Sequence, residues 1–73
     1  MWTADIGTWD KGFRVTLPDV NNLESALKVA GDLVLKHEEE LRSLYKPHKS
    51  ETPYVVQIFK DKQKVWSAIN GTL

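Results

Sequence analysis

Trp2-Thr3-Ala4-Asp5-Ile6-Gly7-Thr8-Trp9-Asp10-Lys11-Gly12-Phe13-Arg14-Val15-Thr16-Leu17 changes parity halfway along. Trp2, Ala4 and Ile6 occupy even positions, whereas Phe13, Val15 and Leu17 occupy odd ones. Alternation of this kind is the mark of strands with one buried face. Asp10-Lys11-Gly12 between them is a turn signal. A loop of even length pairs even positions with odd ones, which puts both apolar sets on one face. A three-residue loop without a bulge would split them and is rejected. Residues 2–17 therefore read as an antiparallel β-hairpin.

Pro18-Asp19 ends the second strand, and Asn21 or Asn22 is placed to cap a helix. Asn21 with Glu24 three residues on resembles a capping box. Leu23, Ala26, Leu27, Ala30, Leu33, Val34, His37, Leu41, Leu44 and Tyr45 form one helical stripe. Lys46-Pro47 stops it, because the residue before a proline is pushed out of helical geometry. The pattern predicts one continuous helix within 22–46, of roughly 23 residues and 35 Å at 1.5 Å per residue. Gly31 lies in its middle, at a cost of about 1 kcal/mol relative to alanine.

Beyond a polar segment bracketed by Pro47 and Pro53, a second hairpin is expected over 54–70, turning at Asp61-Lys62. A two-residue loop there sets Tyr54, Val56 and Ile58 beside Val65, Ser67 and Ile69. Val55, Gln57, Phe59, Trp66 and Ala68 then share the opposite face. The expected architecture is a single α+β domain over 1–73. Its order is ββαββ, a mainly antiparallel four-stranded sheet with one long helix packed on one face.

At 73 residues the chain is near the lower limit for a self-sufficient core, and it contains no cysteine. Disulfides and thiolate metal sites are thereby excluded. No apolar run approaches the roughly 20 residues a membrane-spanning helix needs. Residues 1–20 lack the basic start and continuous apolar stretch of a signal peptide, so a cytoplasmic protein is expected.

Few residues suggest catalysis, and neither a catalytic residue nor a cofactor is assigned. His37 within the apolar stripe reads either as a shifted base or pH sensor, or more simply as a core-edge histidine. A zinc helix starting at His37-Glu38 fails because Leu41 stands where a second histidine would be needed, so no metal is expected. Glu24–Lys28, Lys28–Asp32, Asp32–Lys36, Lys36–Glu40 and Glu38–Arg42 are i,i+4 pairs of opposite charge, as on a solvated helix face.

The second hairpin offers two binding readings. Val55, Phe59, Trp66 and Ala68, with Gln57 among them and Trp9 and Val20 as extensions, would leave an apolar patch on the face a single helix cannot cover. Such a patch suits another protein or a second copy of the chain as a homodimer. The alternative uses Lys60, Lys62 and Lys64 beside aromatic rings to hold single-stranded nucleic acid. Residues 46–73 carry Lys46, Lys49, Lys60, Lys62 and Lys64 against Glu51 and Asp61, a net of +3, but the whole chain is neutral. Nucleic-acid binders usually carry a basic excess over the domain.

The stretch Gly12-Phe13-Arg14-Val15-Thr16-Leu17-Pro18-Asp19, followed by Glu24-Ser25-Ala26-Leu27, resembles the start of HicB-type antitoxins. Those have a hairpin ending in Pro-Asp and a helix beginning Glu-Ala-Leu. The resemblance implies binding to a small toxin protein. The glycine-cysteine segment that follows Pro-Asp in that family is missing here, and the helix begins sooner and runs longer. The features shared are those of any hairpin-to-helix junction, so no family is taken from them. The expectation carried forward is a small non-enzymatic protein-interaction module, acting as a regulator or inhibitor. A chain of this size would suit a virus or mobile element.

Overall fold

The computed structural model of the chain describes residues 1–8, 11–43 and 52–68. Its elements run β1 (Trp2–Gly7), β2 (Gly12–Leu17), α1 (Leu23–Lys36), α2 (Glu38–Ser43), β3 (Tyr54–Lys60) and β4 (Gln63–Ser67). All the strands join one antiparallel sheet in the order β2-β1-β3-β4. β2 and β3 thus run parallel to each other with β1 between them, and the helical segment crosses from one to the other. Among the described residues no helix is long and apolar enough to cross a membrane.

The first hairpin has an even loop and the shared apolar face that its parity requires. Trp2 faces Leu17, Ala4 faces Val15 and Ile6 faces Phe13. Gly7 and Gly12 close the ladder, so the loop is the four residues Thr8 to Lys11. Both the amide and the hydroxyl of Thr8 donate to the Lys11 carbonyl, at 2.7 and 3.3 Å. Gly7 has φ +127°, and a Cβ there would lie 2.4 Å from that same oxygen. Only glycine fits this corner.

Asn22 is the helix cap: its Oδ1 accepts from the Ser25 amide at 2.8 Å. Ala26 and Ala30 are fully buried, and such small side chains let α1 lie close against the sheet. Around them Ala4, Ile6, Leu17, Val20, Val34, Leu41 and Ile58 complete the core. Val20, expected as an extension of an open patch, is therefore interior. Each fully buried aliphatic residue of the size of Ile6, Leu41 or Ile58 contributes about 1.5–3 kcal/mol.

The helix expected to run unbroken through 22–46 is instead divided at His37, whose φ of −104° and ψ of 19° leave the helical region. Hydrogen bonding continues across the joint, from the His37 amide to Leu33 and from the Leu41 amide to His37, at 3.0 and 2.9 Å. The two helices are therefore hydrogen-bonded to each other across the joint, and Leu41 in α2 is fully buried. Charge suits the division: Lys36 closes α1, while Glu38, Glu39 and Glu40 form the first turn of α2. Each matches the dipole of its own helix end. Residues 44–46, predicted as the end of the helix, lie outside the described residues.

The second hairpin differs more. Its tip is as expected, Lys60 facing Gln63 and Phe59 facing Lys64, with Asp61 at φ 57° in the turn. Beyond the tip, Val65 is left without a partner and Ile58 faces Trp66. A second irregularity lies between β1 and β3, where Asp5 faces Gln57 but Ile6 faces Val55, which makes Val56 the extra residue. A bulge inserts one residue and so reverses which face every following side chain occupies.

Candidate binding face of the sheet

The two bulges redraw the patch expected from Val55, Gln57, Phe59, Trp66 and Ala68. Directly opposed residues share a face. Val55 therefore joins Ile6, and Trp66 joins Ile58, on the helix side, where both pack against the core. Gln57 and Phe59 stay on the helix-free side, opposite Asp5 and Thr3. Ala68 lies just past β4, exposed, its amide donating to the Val56 carbonyl at 2.9 Å. Tyr54 and Val65, expected toward the helix, are instead among the exposed large apolar residues. Trp9, named as an extension, and Ile69, expected toward the helix, lie outside the described residues.

In place of an apolar patch, the helix-free side carries an ordered row of polar groups across three strands. Asp5 of β1 faces Arg14 of β2 and Gln57 of β3. Arg14 donates to both carboxylate oxygens, Nε to Oδ1 at 2.7 Å and Nη2 to Oδ2 at 3.2 Å. The Gln57 amide donates to Oδ2 at 2.7 Å. Partial burial works against the charged form of Asp5. The hydrogen bonds from Arg14 and Gln57, with the Arg14 charge, outweigh it and hold the carboxyl below its ordinary range.

Arg14 also covers the ring of Phe59, with Cζ 4.4 Å from its centroid. A cation over an aromatic face at this separation is attractive. One side chain thus joins the carboxylate of β1 to the ring of β3. Beside the row, Asp5, Thr8, Arg14, Val56 and Gln57 line a surface hollow of about 430 Å³. Arg14, Thr16 and Lys64 are exposed on this side, and Thr3, Asp5, Gln57 and Phe59 are half-buried.

The three lysines considered for nucleic acid do not form one stripe. Lys60 faces Trp2 on the helix side, with Nζ 5.8 Å from the indole ring. Lys62 is in the turn, and Lys64 stands beside Phe59 on the helix-free side. His37 is half-buried at the helix joint, edge-on to Phe13 with ring centroids 5.6 Å apart and Nδ1 3.0 Å from Glu40 Oε1. Of the i,i+4 charge pairs, Glu38–Arg42 closes at 2.9 Å. Among the described residues no group of three or more histidine, aspartate or glutamate side chains is placed to hold a metal ion.

No protein family, characterised protein or solved structure matches this chain.

The Asp5–Arg14–Gln57 row escaped the sequence reading because each residue looks like an ordinary solvent-facing position of its strand. A partial signal was present: with a four-residue loop, one of the even lengths that parity allows, Asp5 falls opposite Arg14, which is an ion pair across the hairpin. Gln57 and Phe59 could join it only once the pairing of β1 with β3 was known.

Proposed function

We propose that this chain is a small non-enzymatic protein-interaction module, a regulator or inhibitor that recognises its partner through the helix-free face of the sheet. The observation that carries the reading is the preordered Arg14. Its guanidinium is anchored to Asp5 by two hydrogen bonds and rests on Phe59, yet the residue is exposed. Arginine and aromatic residues supply much of the energy at protein interfaces. Side chains already held in place lose little rotamer freedom on binding. Of the two anchors expected from sequence, Phe59 is kept, with Gln57 beside it, while Arg14 and Asp5 take the places of Trp66 and Val55.

Single-strand nucleic-acid binding through Lys60, Lys62 and Lys64 is the weaker reading. A base would need the ring face that Arg14 occupies, and Trp66, the second expected stacking platform, packs against the core. The test is capture by immobilised wild-type chain from nuclease-treated lysate of the native host, repeated with Arg14→Glu and Phe59→Ala variants of unchanged circular dichroism. The proposal requires a protein retained by wild type and lost from both variants. Equal retention by all three, or no retention, sinks it. A nucleic-acid ligand whose affinity falls steeply with salt, and vanishes when the three lysines become glutamine, would establish the alternative.

A further inference from the structure

The two edges of the sheet are unlike each other. β4 is short, is interrupted by the Val65 bulge, follows Lys62 and carries Lys64, the devices by which a strand edge is kept from pairing. β2 is one residue longer and free of any bulge, although Lys11 precedes it and Pro18 follows it. It pairs with β1 without irregularity over all of Gly12–Leu17, and among the described residues nothing pairs with its outer edge. Its one charged side chain, Arg14, is drawn inward across β1 to Asp5 and Phe59, away from the edge it would otherwise guard. On the helix side α1 packs chiefly on β3 and β1 and only lightly on β2, so Phe13 and Val15 stay half-buried.

We infer that the β2 edge pairs with β2 of a second copy of this chain, antiparallel about a two-fold axis through Val15, to give one continuous sheet. The choice of a second copy rests on self-complementarity. A two-fold axis normal to the sheet keeps each side chain on its own face, so some residue must oppose itself. Centring on Val15 sets Val15 against Val15, and Phe13 against Leu17, all on the helix side. On the helix-free side Arg14 then meets Thr16. Centring one residue earlier would oppose Arg14 to Arg14, which is destabilising. Pro18, which has no amide proton, limits the pairing at the far end. The axis leaves both helix-free faces pointing the same way, so the two Arg14–Phe59 platforms lie on one surface. This inference uses a different surface from the proposed binding face and stands without it.

The chain lacks cysteine, so single cysteines report the register directly. Val15→Cys changes volume little at a half-buried site. Opposed Cβ atoms in such a pair lie about 4.5–5.5 Å apart, near disulfide range, whereas the diagonal Thr16–Thr16 pair is about 7–8 Å apart. Mild oxidation of purified full-length chain is expected to convert most of Val15→Cys to a covalent dimer and to leave Thr16→Cys largely uncross-linked. Light scattering of the wild type is expected to give twice its 8.4 kDa mass. A monomer by scattering overturns the inference, including one that takes up a foreign strand. So does a dimer in which Val15→Cys fails to cross-link, or in which both cysteines cross-link equally.

Discussion

The guanidinium carbon of Arg14 stands 4.4 Å from the centre of the Phe59 ring, although their strands are separated by β1. Asp5 lies between them, opposite Arg14 on one side and Gln57 on the other. The carboxylate sets the direction of the arginine, and the arginine covers the ring. Removing any member should therefore change the others, and the coupling can be read through pH.

Asp5→Asn is expected to lower stability at neutral pH by about 1 kcal/mol, the scale of a well-formed, partly exposed ion pair. The carboxyl is held below its ordinary value in the folded chain, so its contribution is complete above the unfolded value near 3.9. It disappears as pH falls through the lower, folded value. Urea titrations of wild type and variant should accordingly differ at pH 7 and converge as the pH falls through that lowered value. A gap that persists undiminished in acid would mean that the charge is irrelevant.

Phe59 and Trp66 should behave oppositely on truncation. Trp66 packs against the core from the helix side, so Trp66→Ala should cost about 3 kcal/mol or more and lower the melting temperature sharply. Phe59→Ala, on the helix-free side, should cost about 1 kcal/mol and preserve the helical circular dichroism signal. Equal losses would show that the bulge at Val65 does not sort the two rings as described.

The glycines make a second contrast. Gly31→Ala meets nothing within 4 Å and should stabilise the chain by about 0.5–1 kcal/mol through helix propensity. Gly7→Ala places a methyl group against the Lys11 carbonyl at a positive φ and should destabilise by at least about 2 kcal/mol. Chemical denaturation of both variants under one condition decides the signs.

Division of the helix at His37 is tested by the two leucines beside it. Leu41 is fully buried and Leu35 is 71% exposed. Leu41→Ala is expected to cost about 2–5 kcal/mol, Leu35→Ala no more than about 0.5 kcal/mol. If Leu41→Ala proves neutral in thermal unfolding, α2 does not dock on the sheet.

Local pattern was enough where one reading of it is possible. The parity change between Ile6 and Phe13 required a loop of even length, which places both apolar sets on one face, and the loop found is the four-residue one. The stripe from Leu23 to Leu41 identified the helical segment and its buried side, and the cap fell on one of the two asparagines proposed, Asn22. Leu35, off the stripe, is exposed.

What local pattern left open was decided by pairing across the sheet. Val55-Val56 and Val65-Trp66 are each two apolar residues in succession. Either member can point inward, and hydrophobicity alone cannot tell which, because a one-residue bulge exchanges them with little change in buried area. Backbone hydrogen bonding settles it, to Asp5–Ile6, remote in sequence, for the first pair and to Ile58–Phe59 across the hairpin for the second. The division at His37 was likewise not legible, because the apolar stripe continues through it to the buried Leu41. Sequence thus determined the elements, their order and most of their buried sides. The tertiary structure decided which aromatic ring meets solvent, since facing depends on strand register, a property of two segments together that neither carries alone.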